Sequence, residues 1–170
     1  MAERISLLFL IFLCVVTVKC GLLDFRIKFT VFTKNGNTFV STLSDDFKSL
    51  NCDPSEKLAF LTHGYRESIN SKWVTDLVMN LQKYRGGCII FMDYSNYSTI
   101  SIYTLLVEKF YQILAVMMKK LRQLEAQGFD FGKMYMFGFS YGAQLVLRAG
   151  VLLGVGRVAE IDGEMINFRF

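Results

Sequence analysis

The stretch Lys133-Met134-Tyr135-Met136-Phe137-Gly138-Phe139-Ser140-Tyr141-Gly142-Ala143-Gln144 decides the fold of this chain. It predicts an apolar strand, then a Gly-x-Ser-x-Gly turn, then the start of a helix. A serine on such a turn is held above the end of a sheet, and the flanking glycines avoid clashes that Cβ atoms would cause. The helix N-terminus brings N–H groups and a positive dipole close to the hydroxyl. The motif predicts that Ser140 is a nucleophile, and the alternative is a glycine-rich turn with an incidental serine.

Strands and helices are predicted to alternate before this motif. Residues 57–62 and 88–94 are short apolar runs, which predict strands buried on both faces. Between them, apolar residues of the segment 73–84 recur at helical spacing and predict a helix that ends near Gly86. A longer apolar stripe over residues 102–124 predicts one continuous helix.

The two ends of the chain complete the predicted sheet. Residues 26–33 and 38–42 read as strands around a turn at 34–37, and residues 157–161 read as a last strand. The pattern therefore predicts an α/β fold, with a mostly parallel sheet and an antiparallel hairpin at its N-terminal end.

Polar residues follow the predicted strands at the edge where ligands bind in parallel α/β sheets. They are the His63-Gly64-Tyr65 loop, Asp93-Tyr94, Ser140 and Asp162. This coincidence is the strongest argument from the residues themselves for a site. Asp93 is interpreted as a carboxylate that caps a loop rather than as a catalytic group.

Four landmarks in this order resemble the secreted lipase family, which includes pancreatic-type lipases and type A1 phospholipases. The resemblance spans residues 58–162 and implies an α/β-hydrolase fold that hydrolyses lipid or phospholipid esters at a lipid–water interface, without a cofactor or a metal ion. The landmarks are Leu61-Thr62-His63-Gly64-Tyr65, Phe91-Met92-Asp93-Tyr94, the segment 138–144, and Gly156-Arg157-Val158 with Ile161-Asp162.

The resemblance also assigns roles to individual residues. It implies that Ser140 is the nucleophile, that the backbone N–H groups of Tyr65 and Tyr141 form the oxyanion hole, and that Asp162 is the acid that orients a histidine. After Asp162 the chain continues with Gly163-Glu164, where the family usually has Pro-Ala. A solvated carboxylate at a strand end is therefore the alternative for Asp162.

The base that a serine nucleophile needs is missing from this pattern. In this fold the histidine follows the serine and the acid along the chain, but the single histidine, His63, precedes both. His63 is interpreted as a residue that shapes the oxyanion loop. We therefore expect a domain truncated after the strand that follows the nucleophile helix, and a truncated or inactive enzyme. A non-catalytic, secreted lipid-binding protein is the alternative function.

The N-terminal segment predicts export. Residues 5–18 form an apolar run behind Arg4, which is typical of a signal peptide, with a membrane anchor as the alternative. We expect residues 1–20 to be removed and residues 21–170 to form a partial lipase-like domain that is secreted to the extracellular space. Cys52 and Cys88 then remain and could pair, whereas no Cys–His cluster suggests zinc.

The charge pattern excludes one class of partner. The 170 residues carry a formal net charge of +4, and no basic cluster is interleaved with aromatic residues. We therefore expect no binding to nucleic acid. The sequence indicates neither a protein partner nor an oligomeric state.

Overall fold

The computed structural model describes residues 26–33, 38–41 and 52–164, which form one sheet covered on both faces by helices. Six strands lie in the order β2-β1-β4-β3-β5-β6. The pairs β4–β3, β3–β5 and β5–β6 are parallel, whereas β1 runs antiparallel to both of its neighbours. The strands are β1 (Lys28–Phe32), β2 (Thr38–Ser41), β3 (Leu58–Thr62), β4 (Cys88–Asp93), β5 (Met134–Phe139) and β6 (Glu160–Glu164).

Five α-helices connect these strands in the described part of the chain. They are α1 (Lys72–Tyr84), α2 (Ser95–Ser98), α3 (Tyr103–Glu108), α4 (Phe110–Ala126) and α5 (Tyr141–Leu153), with a 3-10 turn at Phe131–Lys133. The predicted α/β fold, with its mostly parallel sheet and N-terminal antiparallel hairpin, is confirmed. The predicted signal peptide, the hairpin turn at 34–37 and the residues after 164 lie outside the described residues.

The two faces of the sheet bury separate sets of side chains, because successive strand residues point to opposite faces. Helix α1 packs Val74 and Val78 against one face, where Leu61 and Phe91 are buried. Helices α4 and α5 cover the other face and form the larger core. All residues of β3 and β4 are buried, which explains their continuous apolar sequences.

The prediction of one continuous helix over residues 102–124 is wrong, because the chain breaks between α3 and α4. The Leu106 carbonyl oxygen accepts hydrogen bonds from the Lys109 N–H group at 3.0 Å and from the Tyr141 hydroxyl at 3.0 Å. A side chain that inserts into the helical ladder in this way interrupts it. Ile102, at the N-cap of α3, lies exposed, whereas Leu106 and Ile113 are fully buried.

The last strand also differs from its prediction, since β6 covers Glu160–Glu164 rather than residues 157–161. Gly154 and Gly156 have φ angles of 110° and 78°, so the chain turns there before it can extend. β6 then pairs in parallel with β5, with Asp162 opposite Phe137. Asp162 therefore lies inside a strand and not beyond its end.

A disulfide bond joins Cys52 and Cys88, which are 36 residues apart. It ties the loop before β3 to the first residue of β4, and both cysteines are buried. We predict that the double variant Cys52→Ser/Cys88→Ser loses about 2–4 kcal/mol of unfolding free energy, because the cross-link restricts the unfolded chain. Urea denaturation measures this loss. Dithiothreitol should destabilise the parent protein and leave the double variant unchanged, and equal sensitivity of the two would contradict the prediction.

Candidate active site

Ser140 lies in a strained backbone conformation between β5 and α5. Its φ and ψ angles are 53° and −114°, and Arg66 is the one other described non-glycine residue with a positive φ. Such a conformation costs about 1–3 kcal/mol and persists where the surrounding structure enforces it. Here the enforcement comes from a buried strand on one side and a packed helix on the other. This strand–turn–helix arrangement is the one that the Gly-x-Ser-x-Gly motif predicted.

The two glycines of the motif are required by close backbone contacts, as the sequence predicted. A Cβ atom on Gly138 would lie 2.2 Å from the Gly142 carbonyl oxygen. A Cβ atom on Gly142 would lie 2.5 Å from the carbonyl oxygen of His63. Both distances are far below van der Waals contact, so any larger residue would force the turn open.

The register of three parallel strands brings the His63-Gly64-Tyr65 loop to Ser140. Thr62, at the end of β3, lies opposite Gly138 in β5, so the loop that follows Thr62 runs beside the serine turn. A Cβ atom on Gly64 would lie 3.0 Å from the Ser140 Cβ atom and 3.1 Å from the carbonyl oxygen of Phe139. The structure therefore brings together the serine and the loop that carries Tyr65.

Glu67 fixes this loop, and the sequence analysis missed it. Its Oε2 atom accepts a hydrogen bond from the Gly64 N–H group at 3.0 Å, and its Oε1 atom accepts one from the Trp73 indole at 2.9 Å. The Ser98 hydroxyl donates to the Glu67 carbonyl oxygen at 3.0 Å. The carboxylate thus links the loop to helix α1. Nothing in the spacing of Glu67 indicated this role, which depends on where Trp73 lies in the folded chain.

His63 is fully buried, and both of its ring nitrogens have partners in the fold. Its Nδ1 atom lies 2.9 Å from the Gly64 carbonyl oxygen, and its Nε2 atom lies 3.1 Å from Asp93 Oδ1. The ring stacks on Tyr94 with 4.1 Å between centroids. These contacts hold the start of the loop in place and support the interpretation of His63 as a loop-shaping residue.

Asp93 remains ionised in this buried position. Burial raises the pKa of its carboxyl group. Hydrogen bonds from His63 and from the Ser95 N–H group lower the pKa by a larger amount, so that it falls to about 2. The Ser95 N–H group lies 2.8 Å from Asp93 Oδ1, at the start of α2. Asp93 therefore caps the loop after β4, as its position in the sequence suggested.

Asp162 lies on the α1 face of the sheet, one strand away from Ser140. Its Oδ2 atom accepts a hydrogen bond from the Tyr135 hydroxyl at 3.2 Å. Burial raises the pKa of Tyr135, and the negative charge of Asp162 raises it further. Asp162 also borders an open hollow together with Lys57 and Arg85. The residue of β6 next to the serine is Glu164, whose carbonyl oxygen accepts a hydrogen bond from the Ser140 N–H group at 2.6 Å.

The described residues contain neither a metal site nor a membrane span. No three histidine, cysteine or acidic side chains gather closely enough in residues 26–33, 38–41 and 52–164 to hold an ion. None of the helices in these ranges is long and apolar enough to cross a bilayer.

Comparison with known proteins gives matches to a family model, to individual relatives and to solved structures. The model of the family described as Lipase matches residues 15–169. Lipase member H of Oryctolagus cuniculus is 25% identical over 150 residues, which are 85% of this chain and 33% of that protein. Pancreatic lipase-related protein 2 of Homo sapiens is 26% identical over 145 residues, which are 82% of this chain and 30% of that protein. The chain thus spans about a third of the length of the curated relatives it matches.

Among solved structures, a phospholipase/carboxylesterase from Dyadobacter fermentans matches with a TM-score of 0.44 and 18% sequence identity. The match covers 65% of this chain and 57% of that one.

Replacement of Glu67 should loosen the loop next to Ser140. We predict that Glu67→Ala lowers the unfolding free energy by about 1–3 kcal/mol, because two N–H donors lose a charged acceptor. Thermal unfolding and the fluorescence of Trp73, the single tryptophan of the chain, report the change. Asp76→Ala removes an exposed carboxylate from helix α1 and is the matched control. Equal losses in the two variants would contradict the prediction.

The low pKa of Asp93 predicts a loss of stability in acid. A carboxyl group whose pKa is lower in the folded state stabilises the fold above its unfolded value of about 3.8, and this contribution disappears as the pH falls through about 2. The difference corresponds to roughly 2 kcal/mol. We expect Asp93→Asn to flatten the dependence of unfolding free energy on pH between these values. If the variant and the parent show parallel curves there, the assignment is wrong.

Proposed function

The chain belongs to the Lipase family, whose model covers residues 15–169, and from this membership we propose that it carries the nucleophile of a hydrolase that acts on carboxylic esters of lipids. The observation that supports the proposal most directly is the strained turn at Ser140, packed against Gly64. We propose that this turn between a strand and a helix presents the Ser140 hydroxyl group to a substrate.

In the proposed reaction, Ser140 Oγ attacks the ester carbonyl carbon and loses its proton to a base. The backbone N–H groups of Tyr65 and Tyr141 are proposed to donate to the oxyanion that forms. The alcohol leaves with a proton, and an acyl group remains on Ser140. Water then attacks this acyl group, releases the fatty acid and restores the hydroxyl. Glu67 contributes indirectly, because it positions the loop that carries Tyr65.

The base and the acid are the open parts of this proposal. Among these 170 residues the single histidine is His63, and its ring nitrogens contact Gly64 and Asp93. We propose Asp162 as the acid, on its place in the family pattern and in the strand next to β5. To serve a histidine near Ser140, its carboxylate would exchange the hydrogen bond from Tyr135 for one from the imidazole.

Export to the extracellular space is proposed as well. The apolar segment 5–18 behind Arg4 motivates it, and the Cys52–Cys88 disulfide supports it, because such bonds persist in oxidising compartments. In that setting the substrate would be a lipid or phospholipid ester in an extracellular aggregate.

A non-catalytic lipid-binding protein is the second candidate. The observation that favours it is the burial of the single histidine, which leaves Ser140 without a base in this chain. Loss of one triad member costs on the order of 10⁴–10⁶ in turnover. The two candidates differ in whether Ser140 reacts at all.

A fluorophosphonate probe, which labels nucleophilic serines, distinguishes the two candidates. We expect the probe to label the 170-residue chain at least about 10⁴-fold more slowly than an enzyme with a complete triad. We expect no labelling of Ser140→Ala. Mass spectrometry of the labelled peptide identifies the site. Ser55→Ala, which removes an exposed hydroxyl outside the loop, is the control and should keep the labelling. Equal labelling of the parent and Ser140→Ala would exclude the hydrolase proposal and leave the binding protein.

A further inference from the structure

The segment after β4 carries a motif that the proposed reaction does not use. Asn96-Tyr97-Ser98 is the one place in the 170 residues where an asparagine is followed two residues later by serine or threonine. Such a triplet, without proline in its middle position, is an acceptor sequence for N-linked oligosaccharides in exported proteins. The triplet lies in the short helix α2, which begins directly after the Asp93 cap.

The Asn96 side chain has the exposure that an attached sugar needs. Asn96 is exposed, whereas the two residues that follow it are buried. Its Nδ2 atom donates a hydrogen bond to the Arg26 carbonyl oxygen at 2.9 Å. An asparagine amide nitrogen has two N–H groups. Replacement of one hydrogen by a sugar therefore leaves the other to keep the bond to Arg26.

The same hydrogen bond directs a sugar on Asn96 away from Ser140. Arg26 precedes β1, which lies on one side of β4, whereas β3 and β5 lie on the other side. Ser140 follows β5, so β3 and β4 separate it from β1. An oligosaccharide at this position thus covers the β1 side of the sheet and leaves the serine turn open.

Ser98 serves the fold with the same hydroxyl group that the acceptor triplet requires. This hydroxyl donates to the Glu67 carbonyl oxygen at 3.0 Å, and the Ser98 carbonyl oxygen accepts a hydrogen bond from the Arg66 N–H group at 2.9 Å. In the folded chain Ser98 is fully buried and Tyr97 is 7% exposed. A transferase that requires the serine hydroxyl therefore reaches the triplet only before α2 packs against the loop that carries Glu67.

We propose that Asn96 is a site of N-glycosylation and that it is modified while residues 94–98 are still unfolded. The donor is a lipid-linked oligosaccharide diphosphate. The bond between sugar C1 and the diphosphate oxygen breaks, a bond between C1 and Asn96 Nδ2 forms, and a base of the transferase takes the amide proton. The Ser98 hydroxyl then turns to Glu67 as the segment folds. This inference rests on the proposed export, because such acceptor triplets are modified in exported chains.

Expression of the 170-residue chain in cells with a secretory pathway tests the site. We expect the secreted parent to carry one glycan, and its removal by peptide N-glycosidase to increase gel mobility and leave an aspartate at position 96. Mass spectrometry of the peptide locates this change. Asn96→Gln should carry no glycan. The matched control is Asn80→Gln, which changes an exposed asparagine of α1 outside any acceptor triplet and should be modified like the parent.

A second form of the chain separates the site from the proposals on which it rests. In this form a signal peptide from another secreted protein replaces residues 1–20, so that export does not depend on them. A glycan on this form alone would support the site and reject residues 1–20 as an export signal. Secretion of this form without a glycan, or a glycan on Asn96→Gln, would overturn the site. Fluorophosphonate labelling of Asn96→Gln should match that of the parent, so failure of the hydrolase proposal appears there and not in the glycan.

The order of modification and folding is tested with chain made in bacteria and folded with its disulfide bond. The folded chain, or its tryptic digest with residues 86–109 as one peptide, is incubated with purified oligosaccharyltransferase and the lipid-linked donor. We expect the folded chain to be modified at least about tenfold more slowly than the peptide, because the transferase reaches Ser98 only in locally open molecules. The digest of Asn96→Gln should stay unmodified. Equal rates for the folded chain and the peptide would overturn the proposed order.

Discussion

The backbone conformation of Ser140 is the constraint on which the rest of the site depends. A φ of 53° at a serine persists because β5 and α5 leave the chain no other path between them. Gly138 and Gly142 make that path possible, since a Cβ atom at either position would overlap a carbonyl group. The local sequence and the packing of two secondary-structure elements therefore enforce the same strained turn.

Parallel pairing of the central strands extends this constraint to the neighbouring loops. Thr62 lies opposite both Met92 and Gly138, so the chain leaves three strands at one level. The side chains of His63 and Asp93 consequently lie in contact and support the start of the loop. Glu67 supports the same loop, and its carboxylate accepts a hydrogen bond from the Trp73 indole. The His63-Gly64-Tyr65 loop thus owes its position to strand register first and to three polar side chains second.

The same arrangement separates structural roles from proposed chemical ones. His63, Asp93 and Glu67 have their polar atoms directed at other parts of the fold. Ser140 is instead only partly buried, at the turn between β5 and α5. The one histidine of the 170 residues therefore supports the loop, and the proposed chemistry rests on Ser140.

The sequence by itself determined most of the order of strands and helices, the serine turn and the need for Gly138, because these depend on neighbours a few residues apart, whereas Gly142 is also required by the carbonyl oxygen of His63 in another loop. Only the tertiary structure decided where α3 separates from α4, since the Tyr141 hydroxyl reaches the Leu106 carbonyl group from another helix. It also decided the register of β6, which places Asp162 beside Tyr135, and the role of Glu67. These features arise from contacts between residues distant along the chain, which periodicity and motif spacing do not encode.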